Sequence, residues 1–251
     1  MTTEYSGKGD PARSLALLWR TSEKPSRKGK PELNVDRIVR AAIAVADEEG
    51  LQALSMRRVA ERLGVGTMSL YTYVPGKPEL LDVMLDTVYG ETDRPADVTG
   101  GWRDRLRHIA RENWALYLRH PWLLQVASNR PVLGPNVTAK YEYELRAIDG
   151  IGLTDIEMDS VLTLVTDFVH GSARGAVDVA RAEQATGLSD EQWWAAHAPF
   201  LARIADTTRY PVATRVGQAA GEAHQSAYDP DHAFEFGLER ILDGVEALVR
   251  D

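Results

Sequence analysis

The chain has no cysteine, which excludes disulfides and thiolate metal ligands and gives no sign of an oxidising compartment. No apolar run approaches the ~18 residues of a membrane span, and residues 1–30 hold no stretch suited to a signal peptide. The expectation is a cytoplasmic protein that does not touch a membrane. Enzyme signatures are missing as well: there is no GxSxG, phosphate loop, dinucleotide fingerprint or HExxH. The histidines, His108, His120, His170, His197, His224 and His232, show no metal-ligand spacing. Asp229, Asp231 and His232 are close in sequence but fall at a helix start, where capping explains them. No catalytic residue, metal site or cofactor is therefore expected. From Gly101 onward no strand pattern is found either.

Positive charge is short overall, at a net −8, which by itself argues against a nucleic-acid partner. Its distribution reverses that. From Lys24 to Lys77 there are 10 bases against 6 acids, so this window carries +4 and the remainder −12. A basic module on an acidic body suits a protein that meets phosphates at one end. At 44% apolar and 26% charged residues the chain is of globular composition, long enough for one large or two modest domains.

The stretch Ser55 to Val74, SMRRVAERLGVGTMSLYTYV, organises the rest. Met56, Val59, Ala60 and Leu63 recur at helical spacing, and Gly64 supplies a left-handed helix end. A second short helix begins at Thr67, with Leu70 and Val74 at i, i+4. Two short helices on a glycine turn make a helix-turn-helix; an ordinary αα-hairpin is the alternative. Before it, Asn34 to Gly50 forms a helix with Ile38, Ala42 and Val45 inward. After it, Pro75-Gly76 turns into a helix starting near Lys77, with Leu80, Leu81, Met84, Leu85 and Val88 buried.

The flanks are less regular. Pro11 to Trp19 forms a short helix after Asp10, with Leu15, Leu18 and Trp19 on its apolar face. Lys24 to Pro31 is a basic arm that either reaches a minor groove or phosphate or is a solvated linker. In the body, helices are expected at Gly101–Leu118 and Pro135–Ile148. A long one opens with the capping box Thr154–Glu157 and runs to about Ala185. Another starts at the box Ser189–Gln192 and breaks near Pro199. Asp206–Pro230 reads as partly irregular, and Asp231–Val249 as the last helix.

The run Val35 to Tyr89, above all LSMRRVAERLGVGTMSLYTYVPGKPELLD, resembles the N-terminal domain of the TetR family of transcriptional repressors. Gly64, the Leu70-Tyr71 pair, and Lys77 four residues after Tyr73 carry the likeness. GDPARSLALLW, HPWLL (His120 to Leu124) and FEFGLERILDGVEAL (Phe234 to Leu248) resemble an actinobacterial-type subgroup with a tetracycline-repressor-like C-terminal domain. The resemblance implies an all-α fold. Residues 1–33 are the extension with its short helix and basic arm, 34–92 a three-helix helix-turn-helix DNA-binding domain, and 93–251 a larger helical bundle for ligand binding and dimerisation.

Matched position by position, the recognition helix is Gly66 to Tyr73. Thr67, Met68 and Ser69 are then candidates for base readout; Tyr71, Thr72, Tyr73 and Lys77 join the DNA face, the tyrosines and the lysine at phosphates. Arg57, on the preceding helix, matches a base-contacting position. Met56 departs from the hydroxyl residue common there, and Gly66 leaves one side-chain contact empty, so no relative's operator carries over.

The implied function is a ligand-responsive repressor that binds a pseudo-palindromic operator as a homodimer and is released by a small-molecule inducer. Candidates for the ligand site are Trp102, Trp114, Tyr117, Trp122, Tyr141, Phe168, His170 and Arg174, with Trp194 in the same group; each is equally suited to plain core. For the dimer, Phe234, Leu238, Ile241, Val245 and Leu248 form a heptad seam beside Ala233, Gly237, Gly244 and Ala247. The long helix, about 155–185, offers Val161, Leu164, Val165 and Phe168, then Gly171, Ser172 and Gly175. Paired with the final helix, about 231–249, it would give a four-helix bundle between two chains; both seams facing their own core is the alternative. An enzyme, or a helical partner-binding scaffold with a vestigial head, are the rival classes.

Overall fold

The computed structural model describes residues 4–5, 7, 9–21, 33–96, 98–127 and 130–250. The basic arm at 24–31 lies outside them. The described residues form α1 (Pro11–Leu18), α2 (Val35–Glu49), α3 (Met56–Leu63), α4 (Thr67–Leu70), α5 (Lys77–Tyr89) and α6 (Trp102–Arg119). They continue with α7 (Pro135–Arg146), α8 (Asp155–Thr186), α9 (Asp190–Ile204), α10 (Pro211–His224) and α11 (Pro230–Arg250). The fold is all-helical. The one departure is a two-residue parallel pairing of β1 (Glu4–Tyr5) with β2 (Val126–Ala127). None of the described helices is long and apolar enough to cross a membrane.

Capping side chains start these helices where the sequence places them. Asp10 accepts from Arg13 N at 3.0 Å, Asn34 from Arg37 N at 2.8 Å and Ser55 from Arg58 N at 3.1 Å. Thr154 and Ser189 both form complete capping boxes, with Glu157 and Gln192, so the first-turn N–H groups have partners. Gly64 closes α3 at φ 68° with open space where a β-carbon would sit. Glycine is needed there for its backbone freedom, and not for room.

The head is α2, α3 and α4 on the first part of α5. Ile38, Ala42, Val45, Leu51, Val59, Leu70 and Val74 are buried at its centre. α5 is enclosed from Glu79 to Asp86 and again at Val88, because head and body both pack on it. In the body α6 and α11 flank α8. Arg103 and Arg107 of α6 grip Glu239 of α11, and the hydrogen bonds from Arg107 and then Arg103 hold that carboxyl down at about 2.

Five expectations are corrected. Leu18 is buried, but Leu15 and Trp19 are exposed, because the indole turns outward to donate to Leu133 O at 2.9 Å. α9 runs through Pro199 without a break; no residue of α9 is buried, so solvent can hydrate the carbonyl that loses its donor. The 206–230 stretch holds a full helix, α10, which Pro211 opens at its first position and whose Gly221 seats the Trp194 indole. The body contributes β2 to the short pairing despite its lack of strand pattern. The heptad seam of α11 is divided: Phe234, Leu238 and Val245 are buried within their own chain, while Leu248 is exposed.

Candidate nucleic-acid interface and body cavity

α4 is short, and only Leu70 anchors it in the core. The helical hydrogen bonding continues past it, with Tyr73 N and Val74 N both donating to Leu70 O at 2.9 Å. This leaves Met68 at 78% exposure and Tyr71 at 44%. Ser69 and Thr72 are exposed too, and Thr67, Tyr73 and Lys77 are half-buried. These residues lie along one short run of backbone leading into α5.

The three arginines of α3 are not equivalent. Arg58 forks onto both carboxylate oxygens of Glu49 at 2.7 to 3.0 Å, and Arg62 forks onto Glu48. Both are spent tying α3 to the end of α2. The Arg62 hydrogen bond lowers the Glu48 proton affinity, as the Arg57 hydrogen bond lowers that of Glu61. Arg57 itself has a side chain 83% exposed and, among the described residues, pairs with Glu61 alone, at 2.9 Å and one turn away. A surface pair of that kind is easily exchanged for a phosphate or a base edge.

Below the head, α5, α6, α7 and α8 line a cavity of about 350 Å³, together with Leu123, Val126, Ala127, Arg130, Pro131 and Val132. Of the candidates, Tyr117, Tyr141 and His170 line it. The others are elsewhere. Trp114 stacks on Phe234 at 4.3 Å, and Phe168 stacks on the same ring at 5.9 Å and covers Gly237. Trp122 is buried and donates to Asp47 Oδ1 at 2.8 Å. Arg174 donates to Leu124 O at 2.7 Å. Trp102 is half-buried against the core, and Trp194 lies over Gly221. These aromatics fill helix–helix contacts, the ordinary fate of large rings at helical spacing.

The cavity has polar residues that sequence reasoning missed. Lys140 and Glu144 of α7 are both buried and pair with each other, and Glu144 also accepts from Asn113 Nδ2 at 2.9 Å. In sequence a Lys–Glu pair at i, i+4 reads as a solvated face, so nothing marked it. The Lys140 ammonium lies 5.7 Å from the Tyr89 ring centroid. The Tyr89 and Tyr117 hydroxyls bond each other, and burial first of all pushes both phenols up. Tyr141 sits at the rim, donating to Asp159 Oδ1 at 2.7 Å.

His170 differs from these satisfied groups. Its ring meets Tyr117 edge-on at 5.5 Å. Its Nε2 is buried with no hydrogen-bond partner among the described residues. Burial, and then the Arg174 charge, lower its proton affinity against a smaller opposing pull from Asp167. The site therefore disfavours the charged imidazolium and leaves Nε2 unanswered.

Two family models match the chain: the bacterial regulatory proteins of the tetR family over residues 38–84, and the tetracyclin repressor-like C-terminal domain over residues 94–249. The chain belongs to the TetR family. It is 50% identical over 250 residues to the HTH-type transcriptional repressor DrrR1 of Streptomyces coeruleorubidus, covering 99% of this chain and 90% of that one. The crystal structure of Streptomyces coelicolor ActR in complex with actinorhodin matches with a TM-score of 0.73 at 32% identity, covering 87% of this chain and 97% of that one. Apo ActR matches with a TM-score of 0.70 at 30% identity, covering 88% and 98%. As a TetR-family member the chain is a DNA-binding transcriptional regulator, with its helix-turn-helix in α3 and α4; its cavity is lined mostly by residues of the C-terminal match, with Leu85 and Tyr89 of α5 preceding that match.

Proposed function

We propose that this chain is a homodimeric, cytoplasmic repressor that holds a pseudo-palindromic operator and leaves it when a small molecule fills the cavity. It has no catalytic step of its own. The observation that carries this is α5: Lys77 opens it on the DNA side, and Leu85 and Tyr89 near its end line the cavity. The two ends are ~18 Å apart along one unbroken helix. An effector that prefers a cavity shape with α5 displaced must lower operator affinity by its preference for that shape.

Residues 34–92 serve as the DNA-binding domain and 93–251 as the sensing and pairing domain. Thr67, Met68, Ser69 and Arg57 read base edges, and Tyr71, Thr72, Tyr73 and Lys77 hold the backbone. The exposure of Arg57, Met68, Ser69, Tyr71 and Thr72 supports the assignment, Thr67, Tyr73 and Lys77 being half-buried. In the cavity, Tyr117, Tyr141 and His170 meet the effector, with a hydroxyl or amide of the ligand answering His170 Nε2. ActR, which is similar to this chain in fold, is solved in complex with actinorhodin, and this supports a small-molecule effector.

α8 and α11 pair two copies. Leu164, Phe168, Gly171 and Gly175 follow one stripe of α8 at steps of four and three. Gly237, Ile241, Gly244 and Leu248 follow a matching stripe of α11; Leu164, Gly171, Gly244 and Leu248 are exposed, while Phe168 covers Gly237 within the chain. Gly171 and Gly244 have open space where a β-carbon would sit, which suits close approach by another helix.

A selection of genomic fragments on the purified protein, run with and without cell extract, tests the whole reading. Recovery of inverted repeats that the extract releases is expected. Retention of no fragment at moderate salt would overturn it.

A further inference from the structure

The N-terminal segment runs outside the cavity wall and ends on the head. Glu4–Tyr5 pair with Val126–Ala127. Gly7 N donates to Asp82 Oδ1 of α5 at 3.0 Å, and α1 buries Leu18 as it packs along α5. Trp19 Nε1 then donates to Leu133 O at 2.9 Å. Arg20 donates to Asp36 Oδ1 at 2.6 Å, in the first turn of α2, and to Leu17 O at 2.6 Å.

These contacts hold Val126–Ala127 on one side and Leu133 on the other, and Val126, Ala127, Arg130, Pro131 and Val132 line the cavity. The far side of this wall is held as well, since Asp86 of α5 accepts from Asn136 N and Val137 N at 3.0 Å each. The wall that an effector would press is thus hooked twice to a segment whose next residue grips the head. Burial alone does not account for the arrangement. Trp19 is 48% exposed and Leu133 61%, so their hydrogen bond joins two groups that water could serve. Arg20 holds φ at 54°, a left-handed position that usually falls to glycine, and from there its guanidinium reaches back to Asp36.

We infer that Glu4–Tyr5, Gly7 and residues 9–21 form a coupling strap, in which Trp19 and Arg20 are positioning residues that carry displacement of the wall at residues 126–127 and 130–133 to α2. This is a second route beside α5. It rests on the repressor reading above, since coupling needs an operator at one end and an effector cavity at the other.

Coupling is reciprocal, so operator binding must also alter the wall, and the test needs no effector. Hydrogen exchange of peptides covering 126–134 is measured with and without the operator duplex recovered by selection. In the wild type the operator should change exchange there by about fivefold or more. In Trp19→Phe/Arg20→Ala that operator-dependent change should vanish, while operator Kd stays within about threefold, under half the usual coupling energy. Arg20→Lys on the wild-type background should keep it, and an unchanged urea midpoint for the double variant guards against a folding defect. The inference is overturned if the wild-type wall does not respond, or if the double variant responds as the wild type does. Loss of operator binding by the double variant would also overturn it, making the strap part of the DNA-binding machinery. A wild-type chain that retains no duplex sinks the repressor reading, and this inference with it.

Discussion

The indole N–H of Trp122 donates to Asp47 Oδ1 at 2.8 Å, so a residue of the body rests on the last turn of the head's first helix. The same oxygen lies 2.7 Å from His120 Nδ1, and His120 Nε2 lies 3.0 Å from Glu91 Oε2. Trp122 and His120 are both buried. Asp47→Ala strands two buried donors and is expected to destabilise the protein by about 1–3 kcal/mol, whereas Trp122→Phe loses one hydrogen bond and costs ~1 kcal/mol. Urea unfolding at fixed protein concentration measures both. Trp122→Phe should leave effector affinity unchanged, because the ring does not line the cavity.

Among the arginines of α3, the effects should separate by partner. Arg57→Ala is expected to weaken operator binding by about 1–3 kcal/mol and to relax selectivity at one base pair per half-site. Lys77→Ala should weaken all duplexes alike and lower the salt slope by about one. Arg58→Ala, which loses its Glu49 fork, should lower stability and leave base preference intact. Binding titrations over a randomised operator decide. Uniform weakening by Arg57→Ala would remove it from base readout.

The head was readable because local chemistry and tertiary need agree there. Asn34, Ser55 and Gly64 each make the cap or turn that their residue type favours, and few other structures would satisfy them all. The same holds for the boxes at Thr154 and Ser189. α10 was obscured because Gly217 and Gly221 are poor helix formers in isolation; only the Trp194 ring over Gly221 shows what the glycine is for. Pro199 was misread for the opposite reason, since a local penalty is affordable in a helix with nothing buried.

The cavity was the least legible part. Trp114, Trp122 and Phe168 are among the aromatics that the sequence offers for an apolar pocket, yet each is consumed by a contact with another part of the chain. Lys140 and Glu144 carry a signal for solvent and are buried together. Pairing partners decide such cases, and pairing across α6, α7 and α8 is set by the packed fold rather than by periodicity along one helix. The α11 seam shows the same limit. Its periodicity was real, but a single chain and a dimer both produce it.

Gly244 separates those two outcomes by sign. A side chain there meets open space in the single chain, and leucine is better than glycine inside a helix by ~1 kcal/mol. Without a partner helix, Gly244→Leu should raise Tm. With the α8/α11 pairing it should abolish the dimer in sedimentation while leaving a folded monomer, and Gly171→Leu should do likewise.

His170 gives the chain a pH dependence whose direction is set by its surroundings. Burial and the nearby Arg174 hold its proton affinity below that of a free imidazole, which titrates near ~6.5. Below that pH the unfolded chain binds more protons at this residue than the folded one. Its contribution is therefore full above ~6.5 and is lost as pH falls through the lower folded value. Subtracting the unfolding free energy of His170→Gln from that of the wild type cancels the other titrating groups, and the difference should decline as pH falls below about 6.5. Effector affinity should fall over the same range if the ligand donates a hydrogen bond to neutral Nε2, because protonation converts that acceptor into a donor. A stability difference that stays flat with pH would mean that the imidazolium is tolerated in the cavity. The unanswered nitrogen would then be no anchor for a hydrogen-bond donor.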